Sequence, residues 1–303
     1  MLSNSDNLKD LYKYLANVLT SDEAKREALI IIKAITGLDT HQTFTDEEYR
    51  LSNSQIKKIK ELIYSRNEEH IPLAYLLEQA YFLDLELFVN KDVLIPRPET
   101  ELLVLETLRK IKENKLRQVT ILDLCTGSAC IAIALKRALP SASVYASDIS
   151  KDALNVALIN AEKYGLEINF VLGDYLEPFL AHKRSPIALP IIRSSAPYFD
   201  VVISNPPYIP ESEYLKLAPE LKHEPRHALI GFPYRHIKEQ LQGLIKENGF
   251  FAFEFGFNQA EAIREIFPRA QIFRDLAGIE RFAIVEAIDL SGVTRNNAPC
   301  PIK

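Results

Sequence analysis

At 303 residues, with a formal net charge of −5, 47% hydrophobic and 25% charged residues, the chain has the composition of an ordinary globular protein and the length for one large domain plus a smaller one. The negative balance argues against a general affinity for nucleic acid or anionic membranes, and Cys125, Cys130 and Cys300 show neither a disulfide framework nor zinc spacing. The first residues lack the basic-then-apolar order of a signal peptide and the apolar run 28–32 is too short to cross a bilayer, so the expectation is a cytoplasmic protein with no membrane partner.

The chain opens with helical periodicity. Leu8, Leu11, Leu15 and Val18 make one apolar stripe, Thr20 with Glu23 reads as a capping box for a helix stopping at Gly37, and Thr45 with Glu48 suggests a further start. Ile56, Ile59 and Ile63 face one side of a helix ending near Arg66. Residues 1–80 therefore read as a helical bundle that packs or recognises, without catalytic spacing. Residues 81–98 change character: YFLDLELFVN (81–90) alternates as a half-exposed strand, and DVLIPRPETE, held extended at Pro96 and Pro98, makes the second part of a hairpin or linker.

Residues 99–290 alternate strand and helix, as a parallel sheet wrapped by helices does. Strands are predicted at 119–125, 143–149, 168–174, 199–205, 249–255, 271–277 and 281–288, with the clearest helix at 152–164. The proline-rich stretch 182–197 reads as an inserted surface loop and 291–303 as a loose tail.

Ligands of such sheets lie beyond the carboxyl ends of the strands. There, ILDLCTGSACIAIAL (121–135) is a strand, a tight turn through Cys125, Thr126, Gly127, Ser128 and Ala129, and a helix start. No Lys-Ser/Thr pair follows, so it is not a P-loop, and an ordinary turn explains it about equally well when taken alone. The next strand ends in Asp148, about twenty residues on, where a carboxylate can accept both ribose hydroxyls; capping the following helix is the bland alternative. The third strand ends in Asp174 and Tyr175, which could equally be a loop acid and a core aromatic. Three such strand ends together favour a nucleoside, and the lack of a pyrophosphate-binding glycine array favours S-adenosylmethionine over NAD.

The fourth strand runs into Asn205-Pro206-Pro207-Tyr208. The prolines offer carbonyls and no N–H, Asn205 adds a side-chain carbonyl, and each residue before a proline is held extended. This stiff ledge of acceptors suits a planar –NH2 group. It would orient the nitrogen and stabilise the positive charge developing there during attack on a methyl sulfonium, with Tyr208 stacking on the flat guest.

These segments resemble the HemK/PrmC family of protein-glutamine N-methyltransferases over nearly the whole chain. VLIPRPETE (93–101) is similar to the family's interdomain segment, 121–135 to its cofactor turn and VVISNPPYIP (201–210) to its catalytic loop. Further matches are Glu224-Pro225 with Ala228-Leu229, Glu254-Phe255-Gly256 with Gln259, and DLAGIER (275–281). The resemblance implies a seven-stranded, Rossmann-like S-adenosylmethionine-dependent methyltransferase domain preceded by a small helical, substrate-recognising domain. The implied substrates are peptide chain release factors, methylated on the glutamine of their Gly-Gly-Gln loop; the acidic balance adds the expectation of no direct nucleic-acid contact, and a monomer is expected. Residues 125–129, Asp148, Asp174, Tyr175 and Asn205 would hold cofactor; Asn205 to Tyr208 would hold the glutamine, with Asn205, Pro206 and Tyr208 catalytic.

Three positions depart from the family pattern. Ala129 replaces a glycine and is expected to tighten the cofactor turn, the segment after Leu229 lacks a second glycine and an Asp-Gly, and 78–80 replaces a glycine-containing turn. Alternatives remain a ribosomal-protein glutamine, an adenine or cytosine amino group, or a degenerate fold used only for binding. His223 and His227 are four apart, but Pro225 lies between them, and a solvated loop is the better reading than a metal pair. Arg97 and Glu254 are left outside the catalytic set: Arg97 could meet cofactor, substrate or the other domain, and Glu254 could support the site or simply end a strand.

Overall fold

A computed structural model of the chain describes residues 7–180 and 199–290; the predicted loop 182–197, the tail 291–303 and Cys300 lie outside the described residues. The chain divides into two compact units, Met1–Gln79 with Leu217–His223, and Ala80–Lys216 with Glu224–Lys303.

In the first unit, helices α1 (Leu8–Val18), α2 (Ala24–Thr36), α3 (Thr40–Thr45), α4 (Asn53–Asn67) and α5 (Leu73–Leu76) enclose one apolar core. Leu8, Leu11 and Leu15 are buried as their spacing requires, against Ala28, Ile31 and Ile32 of α2 and Ile56, Ile59 and Leu62 of α4. Two expected helix starts are corrected. Thr20 donates to Asn67 Oδ1 instead of capping α2, whose N-cap Glu23 makes no side-chain capping bond. Thr45 ends α3; the capping boxes are Asp39–Gln42 and Ser52–Gln55, with glutamine in the returning position. The buried Arg66 guanidinium bonds Glu27 at 3.1 Å and Glu220 at 3.0 Å, so segment 217–223 is tied to the bundle by an ion pair from half-buried Glu220 to a buried guanidinium.

From 79 to 88 the chain forms a hairpin, β1 (Gln79–Phe82) and β2 (Leu85–Phe88), reversing at Leu83, whose φ is +52°. The alternation that predicted one strand through 81–90 spans both arms, and 91–97 adds no strand. Pro98 opens helix α6 (Pro98–Glu113), where its missing N–H costs no bond.

The main sheet contains β3 (Thr120–Leu124), β4 (Ser143–Asp148), β5 (Asn169–Leu172), β6 (Phe199–Ser204), β7 (Ile245–Glu254), β8 (Gln271–Arg274) and β9 (Glu280–Glu286), in spatial order β5-β4-β3-β6-β7-β9-β8. Helices α7 (Cys130–Ala138) and α8 (Lys151–Lys163) connect β3 to β4 and β4 to β5. Strands β3 to β7 pair in parallel, but β9 is antiparallel to β7 and β8, because the short connection 275–279 cannot make the crossover that a parallel pair needs. Alternate residues fill the two faces: Ile121, Val201 and Ile203 share one core with α6 and α7, while Leu122, Leu124 and Val202 share the other with helices Tyr234–Leu241 and Ala260–Ile266. Strand order reverses between β3 and β6, so their carboxyl ends emerge side by side.

Candidate active site

The turn after β3 is shaped by its backbone. Cys125, Gly127 and Ala129 have φ of +62°, +52° and +63°, a left-handed run that turns the chain sharply into α7. Buried Asp123 closes it, its Oδ2 accepting from Thr126 Oγ1 at 2.6 Å and from Ala132 N at 3.1 Å. Burial pushes the Asp123 carboxyl up to about 7 despite those bonds. Burial likewise raises the Cys125 and Cys130 thiols, so neither supplies a thiolate near neutral pH.

The expected methyl of Ala129 beside the cofactor is corrected. Ala129 is fully buried and packs into the sheet core, and it does not line the cavity described below. The cost of alanine there is its left-handed backbone, not a narrower site.

Asp148 at the end of β4 is not the N-cap of α8; Ser150 is, accepting from Ala153 N. The Asp148 carboxylate instead joins two loops, Oδ2 accepting from Gly127 N and Oδ1 from Ser150 N, both at 2.9 Å. Burial holds its pKa above the ordinary carboxylate value, against those backbone bonds. Gly173 N bonds Asp148 O at 3.0 Å, bringing Asp174 and Tyr175 to the same edge, and a Cβ at Gly173 would lie 2.0 Å from Pro178 Cγ. Tyr175 sits at φ +43° with its ring edge-on to His236.

Strand β6 is buried along its whole length and ends where Pro206 can no longer donate to the ladder. Ser204 Oγ donates to Leu124 O at 2.7 Å, locking the two central strand ends together just before Cys125 and Asn205. The ledge beyond is gripped from several sides. Gln259 Nε2 donates to Tyr208 O at 2.6 Å while its Oε1 accepts from Gly256 N, and Ile209 exchanges backbone bonds with 229–231. Gly231 backs Pro207 so closely that an added Cβ would lie 3.0 Å from Pro207 O. The segment after Leu229, which departs from the expected pattern, is thus the ledge's backing.

Sequence reasoning left out the residues that orient Asn205. Its Nδ2 donates to Thr100 Oγ1 at 3.1 Å, and Thr100 Oγ1 donates to Glu254 Oε2 at 2.6 Å. Tyr208 OH donates to Glu254 Oε1 at 3.0 Å, directing its hydroxyl inward to a carboxylate that burial pushes up to about 7. No donor among the described residues reaches Asn205 Oδ1. The available signal was Glu254 itself, a single acid closing the apolar run GFFAFEF.

A cavity of ≈ 260 Å³ opens at this edge. Its wall includes Cys125, Thr126, Gly127, Ser128, Asp148, Asp174 and Tyr175 with Asn205 and Pro207; Ala129, Pro206 and Tyr208 do not line it. Arg97 and His227 do line it. Arg97 bonds Glu224 Oε1 at 2.5 Å, and Glu224 Oε2 accepts from Ile95 N, so this buried acid pins the IPRPE segment along the cavity. His223 Nε2 donates to Glu69 O at 2.9 Å, and no metal-ligating cluster occurs among the described residues.

The wall fits S-adenosylmethionine. A Cβ built on Gly127 would meet no protein atom within 4 Å, so the turn leaves room for close approach. Each Asp148 oxygen has spare acceptor capacity beyond its backbone bond, matching the two hydroxyls of a ribose. Asp92, Asp148 and Asp174 outnumber Arg97 and His227 on the wall, which suits a cationic sulfonium and ammonium.

Comparison with known proteins first gives the class. The Methyltransferase small domain profile matches residues 99–229, and the PrmC N-terminal domain profile matches 8–77. The chain therefore carries a seven-stranded S-adenosylmethionine-dependent methyltransferase fold after a helical N-terminal region. The particular family follows from full-length relatives, each named release factor glutamine methyltransferase. That of Bacillus subtilis (strain 168) is 33% identical over 288 residues, covering 89% of this chain and 94% of the relative. That of Gloeobacter violaceus is 36% identical, covering 90% and 94%, and that of Chlorobaculum tepidum is 34% identical, covering 86% and 89%. The chain belongs to the release factor glutamine methyltransferase family.

Proposed function

We infer that the protein methylates the side-chain amide nitrogen of the glutamine in the Gly-Gly-Gln loop of class I peptide chain release factors, tuning translation termination. The methyl donor is S-adenosyl-L-methionine, which when bound supplies an electrophilic methyl on a sulfonium sulfur. Residues 125–128, Asp148, Asp174, Tyr175 and Asn205 would hold it. Asp148 would take the ribose hydroxyls, and Gly127 would allow close approach.

The observation that carries the reading is the direction of the Asn205 amide: Nδ2 is engaged by Thr100, leaving Oδ1 as an acceptor at the cavity. With the carbonyls of the proline ledge, it accepts from the two N–H groups of a primary amide. These bonds orient the nitrogen and stabilise the positive charge that builds as the nitrogen–carbon bond forms. The sulfur–carbon bond would break with its electron pair staying on sulfur, and the methylated nitrogen, then strongly acidic, would pass one proton to solvent by way of a carbonyl it already bonds, so no strong base is required. Pro206 and Tyr208 lie behind the cavity wall and act by stiffening and anchoring the ledge.

Residues 1–80 would recognise the substrate protein, 81–98 would link, and 99–290 would carry the chemistry. The net charge of −5 supports a protein partner without direct nucleic-acid contact. A monomer working where release factors work, in the cytoplasm, completes the proposal; among the described residues no helix is long and apolar enough to cross a membrane. The test is incubation with labelled cofactor and, separately, release factor, ribosomal proteins, DNA and RNA. Label is expected on release factor alone; label on nucleic acid or ribosomal protein in its place would overturn the assignment.

A further inference from the structure

Asn205 has nearly the same shape with its amide flipped, so packing alone does not decide whether oxygen or nitrogen faces the guest. A neighbouring hydrogen-bond chain does. The Thr100 hydroxyl carries one proton and gives it to Glu254 Oε2 at 2.6 Å, so toward Asn205 its oxygen can only accept. Nδ2 must then face Thr100, and Oδ1 is left for the guest.

We propose that Glu254, acting through Thr100, is the positioning residue that sets the polarity of the Asn205 amide, and that only its ionised form presents an acceptor to the substrate nitrogen. This rests on the function inferred above. A protonated Glu254 can donate to Thr100 Oγ1, whose own proton then turns to Asn205. The amide is favoured in the flipped orientation, with Nδ2 toward the guest, and two sets of N–H donors confront each other.

The surroundings of Glu254 make both states accessible. Thr100 of α6 and Tyr208 of the ledge donate to its carboxylate, and Tyr234 OH bonds its backbone carbonyl. Glu99 opposes ionisation through space and Arg281 favours it. Burial outweighs these and places the carboxyl at about 7, so methyl transfer is expected to rise with pH as Glu254 ionises.

The test is the single-turnover rate on purified release factor from pH 5.5 to 9, for wild type, Thr100→Ser, Thr100→Val and Glu254→Gln. In parallel, the side-chain amide resonances of Asn205 are followed by NMR in ¹⁵N-labelled protein without substrate. Wild type is expected to show an acid limb centred near 7, with the Asn205 resonances titrating alongside it. Thr100→Ser should retain both. Thr100→Val and Glu254→Gln should lose about 10- to 100-fold in rate at high pH and show a flattened limb, and the Asn205 resonances should no longer titrate. A pH-independent wild type, a Thr100→Val enzyme with the wild-type profile, a Thr100→Ser enzyme as impaired as Thr100→Val, or static Asn205 resonances would each overturn the proposal. If release factor is not methylated at all, the function falls, and the NMR titration still decides the positioning role.

Discussion

The two loops that form the site are built differently. The turn after β3 takes its shape locally, from backbone strain at 125, 127 and 129 and from Asp123, whose two bonds fall within nine residues; Ser147, Asp148 and Asn160 of the next strand and helix add bonds to it. The ledge after β6 is assembled from afar, with Thr100 lying 105 residues before Asn205 and 154 before Glu254. The turn keeps its shape largely through its own backbone and Asp123, whereas the ledge depends on side chains from α6, β7 and the segment after it. Substitutions at the ledge should therefore affect the chemical step, and substitutions at the turn should affect cofactor binding or stability.

The sharpest separation should come from Asn205→Ala. Its single-turnover rate should drop about 1,000-fold while circular dichroism and melting stay near wild type; full activity would break the ledge account. Asp148→Asn comes next, because it replaces a carboxylate that joins Gly127, Ser150 and the proposed ribose. Calorimetry should show cofactor affinity about 100-fold weaker, with near-normal turnover at saturating cofactor.

Glu254→Gln separates stability from chemistry. Since the folded carboxyl lies near 7, above its ordinary 4.5, the unfolded chain ionises first as pH rises, and this group's contribution to stability falls until about pH 7. Relative to wild type, the variant should therefore gain about 2 kcal/mol in urea unfolding free energy between pH 5 and pH 8. A constant difference would show that the carboxyl is not raised. Ala129→Gly should have the smallest effect: relief of a left-handed alanine and loss of a buried methyl nearly cancel, leaving stability within about 1 kcal/mol and cofactor affinity unchanged.

The same contrast explains what the sequence disclosed. The seven strands, the turn at 125–128, Asp148 and the proline ledge follow from periodicity and from the donor and acceptor inventory of adjacent residues, which are properties readable in a short window. Thr100 looks like any first-turn helix residue, and its partners come from strand pairing that no short window contains. Ala129 was misplaced because spacing does not tell which way a Cβ points in a left-handed turn. The helix starts failed for a similar reason: Thr20 matches a capping pattern, but its hydroxyl bonds Asn67, 47 positions away.

The ledge is proposed to recognise a planar amino group by accepting its hydrogen bonds. The direct measurement is methyl transfer to a release factor whose Gly-Gly-Gln glutamine is replaced by glutamate, similar in shape but lacking N–H donors. No incorporation above background is predicted; methyl-ester formation at a rate comparable with the native glutamine would contradict it.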